Sequence, residues 1–177
     1  SNATTCKSCT DNLIVGPMYA ADRADLNGDS KVDVVAAGKG ISVLNNRTSP
    51  GSLTLADFSF DNNLIRFVEN SGVANSVKIA DFDGDGRADI VYTNSASKQV
   101  SVMPNNFSTT GTLSFANSIH LATPDLLNTH MVSVGDMNGD AKPDIVVSDY
   151  SSAGGFSTKI AYFANTSSIG AISFAPV

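Results

Sequence analysis

Asp81-Phe82-Asp83-Gly84-Asp85-Gly86-Arg87-Ala88-Asp89, followed at once by Ile90-Val91-Tyr92, is the stretch on which the fold turns. It occurs three times. Asp25-Leu26-Asn27-Gly28-Asp29-Ser30-Lys31-Val32-Asp33 precedes it and Asp136-Met137-Asn138-Gly139-Asp140-Ala141-Lys142-Pro143-Asp144 follows it. The step is 56 residues from Asp25 to Asp81 and 55 from Asp81 to Asp136. A second landmark keeps the same order: Gly51-Ser52-Leu53-Thr54-Leu55-Ala56, Gly111-Thr112-Leu113-Ser114-Phe115-Ala116 and Gly170-Ala171-Ile172-Ser173-Phe174-Ala175. Two landmarks at one period make this a tandem repeat.

Each unit reads as four short strands. Alternating stretches such as Val77-Lys78-Ile79-Ala80 and Val132-Ser133-Val134-Gly135 lead into the loop. The β-branched pairs Val34-Val35, Ile90-Val91 and Ile145-Val146 leave it, and such side chains favour strand over helix. Ile41-Ser42-Val43, Val100-Ser101-Val102 and Ile160-Ala161-Tyr162 form the expected third strand, and the Gly-x-Leu/Ile stretch the fourth. The residue before each loop is small (Ala24, Ala80, Gly135), which suits a strand crowded against neighbouring units. No segment carries a sustained helical period. The expected fold is all-β, with three four-stranded antiparallel blades of a β-propeller. A β-sandwich would not need identical loops at a fixed period. The expected boundaries are a lead-in over 1–17 and blades over 18–60, 61–117 and 118–177.

Within each loop, positions 1, 3, 5 and 9 are Asp or Asn. Alternate residues of a tight turn can face one centre, and short side chains bring hard oxygen ligands to it, as calcium prefers. Lys31, Arg87 and Lys142 at position 7 would turn outward and offer a backbone carbonyl. Gly28, Gly84 and Gly139 permit the sharp turn. Four carboxylates in the second loop repel one another unless a cation joins them, so that loop is expected to bind most tightly. An EF-hand is excluded, because position 12 is Ala36, Tyr92 or Val147 where Glu is required, and no helices flank the loop.

Together the loops, the strands after them and the Gly-x-Leu-Ser-Phe-Ala turn resemble the FG-GAP/VCBS repeats of integrin α-type β-propellers, from about Met18 onward. The chain is closer to the bacterial VCBS variety, because Phe-Gly and Gly-Ala-Pro are missing. The resemblance implies up to three Ca2+ ions. Their ligands would be Asp25, Asn27, Asp29 and Asp33; Asp81, Asp83, Asp85 and Asp89; and Asp136, Asn138, Asp140 and Asp144. Position 6 is Ser30 and Ala141 where the family often has Gly. The resemblance also implies adhesion or ligand recognition outside the cell or at its surface.

Composition fits a binding module. Sixteen of the 17 acids are Asp, and ten of those lie in the three loops. The net charge of −6 and the lack of a basic stripe exclude nucleic acid as a partner. No apolar run is long enough to cross a membrane. Ser1-Asn2-Ala3 reads as a tag-cleavage scar, and no signal peptide is visible. Cys6 and Cys9 make a single C-x-x-C without the second pair a zinc site needs. His120 and His130 have no metal-ligand spacing, and no nucleophile or phosphate-loop motif is present, so the chain is expected not to be an enzyme. Asn46-Arg47-Thr48, Asn106-Phe107-Ser108 and Asn165-Thr166-Ser167 each begin five residues before a landmark Gly, and this fixed placement points to Asx turns. Tyr150 and Phe156 lie in the longest loop and could stack on a sugar or meet a protein. A protein or carbohydrate partner is expected, the latter if the chain is the sugar-binding portion of a secreted polysaccharide-degrading enzyme. Three blades are too few to close a ring, and a homodimer would supply six.

Overall fold

The computed structural model describes residues 17–49, 51, 58–59, 72–150 and 159–176. Cys6, Cys9 and Phe156 lie outside the described residues. Those that are described form twelve strands and no helix. None therefore provides a helix long and apolar enough to cross a membrane.

Three antiparallel sheets follow one another along the chain. The first joins β1 (Ala20–Ala24), β2 (Asp33–Ala37) and β3 (Ile41–Asn46), with the two-residue β4 (Phe58–Ser59) at its edge. The second orders β5 (Val77–Ala80), β6 (Asp89–Asn94), β7 (Gln99–Met103) and β8 (Ile119–Ala122). The third orders β9 (Thr129–Gly135), β10 (Asp144–Asp149), β11 (Ile160–Asn165) and β12 (Phe174–Pro176). Each sheet is a simple meander, and each Asp-rich loop is the turn between its first two strands. The three expected inner strands of each unit stand where the β-branched patterning put them.

In the third unit the fourth strand starts at Phe174, within the expected Gly170–Ala175 stretch. Residues 52–56 of the first unit lie outside the described residues. The second unit differs from expectation. The stretch from Gly111 to Ala116 is a turn touching the sheet only through a single Asn105–Phe115 bridge, and β8 begins downstream at Ile119. Gly51, Gly111 and Gly170 all have positive φ, a turn conformation that breaks the ladder there. Because β8 pairs with β7, the second unit extends past the expected boundary at 117.

Pleating divides the core in two. Ile90 and Tyr92 of β6 pack with Leu26, Val35, Ile41 and Val43 of the first sheet. Val91, between them in sequence, points the other way and packs with Val132, Ile145, Val147 and Phe163 of the third. All six residues of β6 are buried, as a strand covered on both faces must be. Each fully buried aliphatic side chain contributes about 1.5–3 kcal/mol, so these two interfaces hold the sheets together. β1 lies against β5, and β9 against both β5 and β6.

A polar link sets the register between sheets. Asn105, at the end of the third strand of sheet two, donates its side-chain amide to the carbonyl of Ala88 in its own sheet at 3.0 Å and to that of Leu26 in the preceding loop at 2.8 Å. Asn165 repeats this one sheet later, to Pro143 at 2.9 Å and to Phe82 at 2.8 Å. Both are 2% exposed. The Asx turns expected from the Asn-x-Ser/Thr triplets are present at Asn46 and Asn165, whose Oδ1 atoms accept from Thr48 N–H and Ser167 N–H. In the second unit the turn belongs to Asn105 and not to Asn106, since Phe107 N–H donates to Asn105 Oδ1. Asn165→Ala should destabilise the protein by about 2–4 kcal/mol, because two buried carbonyls lose their donor. Urea unfolding monitored by circular dichroism checks this.

Candidate metal centre

One local plan builds all three loops. The position-1 carboxylate collects the backbone N–H groups of the turn ahead of it. Asp81 accepts from Gly84 and Asp85 on Oδ1 and from Gly86 on Oδ2, at 2.8, 3.2 and 2.8 Å. Asp25 and Asp136 do the same with residues 28–30 and 139–141. To aim those N–H groups inward, positions 4 and 6 adopt left-handed backbone. Gly28, Gly84 and Gly139 take φ of 73°, 72° and 84°, and position 6 is 65° at Ser30, 84° at Gly86 and 66° at Ala141. Ser30 and Ala141 thus keep the geometry of Gly86, at the steric cost of a Cβ there.

The position-9 carboxylate is the deepest. Asp33, Asp89 and Asp144 are at most 1% exposed. Each accepts the position-2 N–H on Oδ2, from Leu26, Phe82 or Met137 at 2.9 Å. Each also accepts on Oδ1, at 2.8 Å, the backbone N–H of the Asn that ends the third strand: Asn46, Asn105 or Asn165. One carboxylate therefore ties the start of the loop to the far hairpin.

The second loop differs from its neighbours in charge. One oxygen each from Asp81, Asp83 and Asp89 lies within 4.8 Å of the others, a group that could hold a metal ion. Among the described residues no other group of three His, Cys or acidic side chains gathers this way. Burial, with the charges of Asp83 and Asp85 added, pushes Asp89 up to about 7, against the pull of its N–H bonds from Asn105 and Phe82. Burial and the charge of Asp85 also raise Asp83. Two of the three, Asp83 and Asp89, resist ionising in this setting, and the all-oxygen group fits a hard cation. The fourth acid, Asp85, is not in the group. It pairs with Arg87, whose Nε also donates to Asn105 carbonyl at 2.9 Å. The position-7 side chains of loops two and three turn back toward the end of the third strand, Lys142 Nζ donating to Ser167 carbonyl at 2.7 Å.

Loops one and three gather fewer acids. Asn27 is fully buried, and its amide is spent on Asn45 Oδ1 at 3.1 Å. Burial raises Asp33, opposed by N–H bonds from Asn46 and Leu26. In the third loop, N–H bonds led by that of Ala141 hold Asp136 below the usual carboxylate range. Burial works to raise Asp144, but donors from Asn165, Met137 and the Tyr162 hydroxyl outweigh it. The carboxylates of loop three are thus satisfied by the protein itself.

The sequence marked Asn46 and Asn165 as turn residues, but not Asn105. It did not show that these Asn N–H groups reach the position-9 Asp, or that the amides of Asn105 and Asn165 bind the preceding loop. Asn46, Asn105 and Asn165 stand 13, 16 and 21 residues after their position-9 Asp. The intervening hairpin varies in length, so no fixed spacing links them to that Asp.

A model described as FG-GAP-like repeat matches residues 25–92 and again residues 81–147, together more than half of the chain. Each match starts at the first Asp of one loop and runs through the whole of the next. No curated protein matches the chain.

Two outcomes follow for the protein in chelator. Ala141→Gly should stabilise it by about 0.5–1 kcal/mol, because relief of the left-handed Cβ exceeds the added chain entropy; chemical unfolding reads this. Asp89 binds its proton more tightly folded than unfolded, so the folded state holds more protons between about 4 and 7. Stability should therefore fall as pH rises through that window, by on the order of a few kcal/mol. Thermal unfolding at several pH values tests the sign.

Proposed function

The chain belongs to the FG-GAP-like repeat family, and on that premise we propose that it is a calcium-binding, non-enzymatic recognition module built from propeller blades and working outside the cell or at its surface. The observation that carries the metal reading is the convergence of Asp81, Asp83 and Asp89 at the mouth of the second sheet's inner hairpin. An all-oxygen donor set without thiol or imidazole favours a hard cation, and a loop that can adapt its coordination number favours Ca2+ over Mg2+. Chain groups do the rest. Asp89 keeps its two N–H donors, Asp81 holds the turn, and Arg87 balances Asp85. The role of the ion is structural: it relieves the repulsion among carboxylates that the fold has already brought together.

Recognition has a candidate surface. Tyr19, Asn75 and Asn128 lie just ahead of the first strands of the three sheets and line one shallow hollow with His130 and Tyr150. The last two rings are stacked with centroids 4.9 Å apart. Exposed aromatic faces beside amide side chains suit a protein loop or a sugar. The stacked pair gives the alternative, a carbohydrate-binding portion of a secreted polysaccharide-degrading enzyme, its specific support.

Calorimetry is expected to find calcium bound most tightly at the second loop, and Asp83→Asn to weaken that site; unchanged binding would sink the metal reading. Calcium at a hundred times its dissociation constant should stabilise the fold by about 2.7 kcal/mol for each site filled, seen as a higher Tm than in chelator. A glycan array separates the partners, since sugar binding lost on Tyr150→Ala selects the carbohydrate alternative.

A further inference from the structure

The two junctions between sheets share their Asn link but differ at the turn beyond it. At the first junction, the turn after the third strand of sheet two closes over loop one. Gly111 N–H donates to the carbonyl of Asn27 at 2.9 Å. The Phe107 ring lies so close that a Cβ placed on Gly28 would stand 2.9 Å from it. At the second junction the residue matching Phe107 is Ser167. Each stands two residues past its Asn and donates its N–H to that Asn Oδ1. Among the described residues nothing lies within 4 Å of a Cβ placed on Gly84. The turn closes on itself there, Ser168 and Ala171 exchanging N–H···O bonds at 3.1 and 2.8 Å. No donor among the described residues reaches the carbonyl of Asp83.

A cleft of about 670 Å³ stands where the first junction is closed, a size within the range of about 300–1,000 Å³ usual for small-molecule sites. Asp81, Asp83 and Gly84 form one wall, and Lys142, Ser168 and Ile169, from loop three and the turn, form the other. Two of the three acids that converge in loop two therefore border the cleft. Loops one and two share their backbone, with φ of 73° and 72° at Gly28 and Gly84 and the same N–H bonds to the first Asp. The Asp83 carbonyl accordingly faces the turn of sheet three, as that of Asn27 faces Gly111.

These groups select a class of ligand. An ion held by loop two needs hard oxygens to complete its shell, and the Asp83 carbonyl needs a donor. A hydroxyl supplies both, whereas an ionised carboxylate only accepts. Charge agrees. Three carboxylates exceed a divalent ion by one charge, Lys142 balances it, and Arg87 is spent on Asp85. No positive charge is left over for an anion. Ile169, 81% exposed beside these groups, offers an apolar patch to the C–H face of a ring.

We propose that this cleft binds a neutral sugar, whose hydroxyl groups reach the ion of loop two and the carbonyl of Asp83. The site is separate from the hollow lined by Tyr150. It deepens the calcium reading and rests on it.

The whole chain on an array of neutral and acidic glycans, in calcium and in chelator, tests this, with calorimetry of calcium on each variant. Neutral glycans should be bound in calcium and released in chelator. Ser167→Phe places at the cleft the residue type that closes the first junction, and Ser168→Trp adds bulk at an exposed position. Each should abolish sugar binding and leave calcium uptake at loop two intact. If calcium is taken up at loop two and no neutral glycan is bound, the inference is overturned and the calcium reading stands. If no calcium is taken up, both fall. Binding confined to acidic glycans, unchanged in chelator or indifferent to both substitutions also overturns the inference.

Discussion

A buried carboxylate at the ninth position of each loop holds this protein together. Asp33, Asp89 and Asp144 each take one N–H from the start of the loop and one from the end of the third strand. Ions so deeply buried are costly unless every lone pair is used. The fold offsets part of that cost by wrapping the loop and the hairpin around the carboxylate, with an N–H on each oxygen. The first strand, the turn and the third strand are thereby fixed relative to one another within every sheet.

The remaining geometry grows out of that tie. The Asn whose backbone N–H reaches the buried Asp then has its side chain free to act. In sheets two and three that amide crosses to the preceding loop and grips the carbonyl beside a buried Leu26 or Phe82. One residue thus links the carboxylate of its own sheet to the loop of its neighbour, and the apolar faces are held in a single register. Ridged faces of Val and Ile could slide past one another; a buried amide between two carbonyls cannot move without losing both bonds.

The same architecture gives the loops unequal electrostatics. In loop two burial, with the charges of neighbouring acids added, raises Asp83 and Asp89, while loop three keeps Asp136 and Asp144 low by supplying them with donors. The substitution of Asn for Asp at positions 27 and 138 accounts for part of this. In loop three the Tyr162 hydroxyl adds a donor to Asp144 beside the N–H groups of Asn165 and Met137, and only the folded chain brings it there.

The sequence by itself determined the repeat, the strand content and the loops, because these are local. Period-two patterning, Asp and Gly at fixed positions and β-branched runs act within a few residues of one another. It placed the fourth strand of the second unit wrongly, reading the Gly111 turn as strand, because an apolar run beside a glycine fits either. It pointed to Asn106 where Asn105 makes the turn, since a triplet motif does not tell which of two neighbouring asparagines faces the core. Tertiary structure alone decided which acids converge, that Asp85 is drawn off by Arg87, and that Asn105 and Asn165 join neighbouring sheets. Those contacts span hairpins of unequal length and separate repeats, so their partners share no constant spacing. They become neighbours only when burial of the apolar faces brings the sheets together.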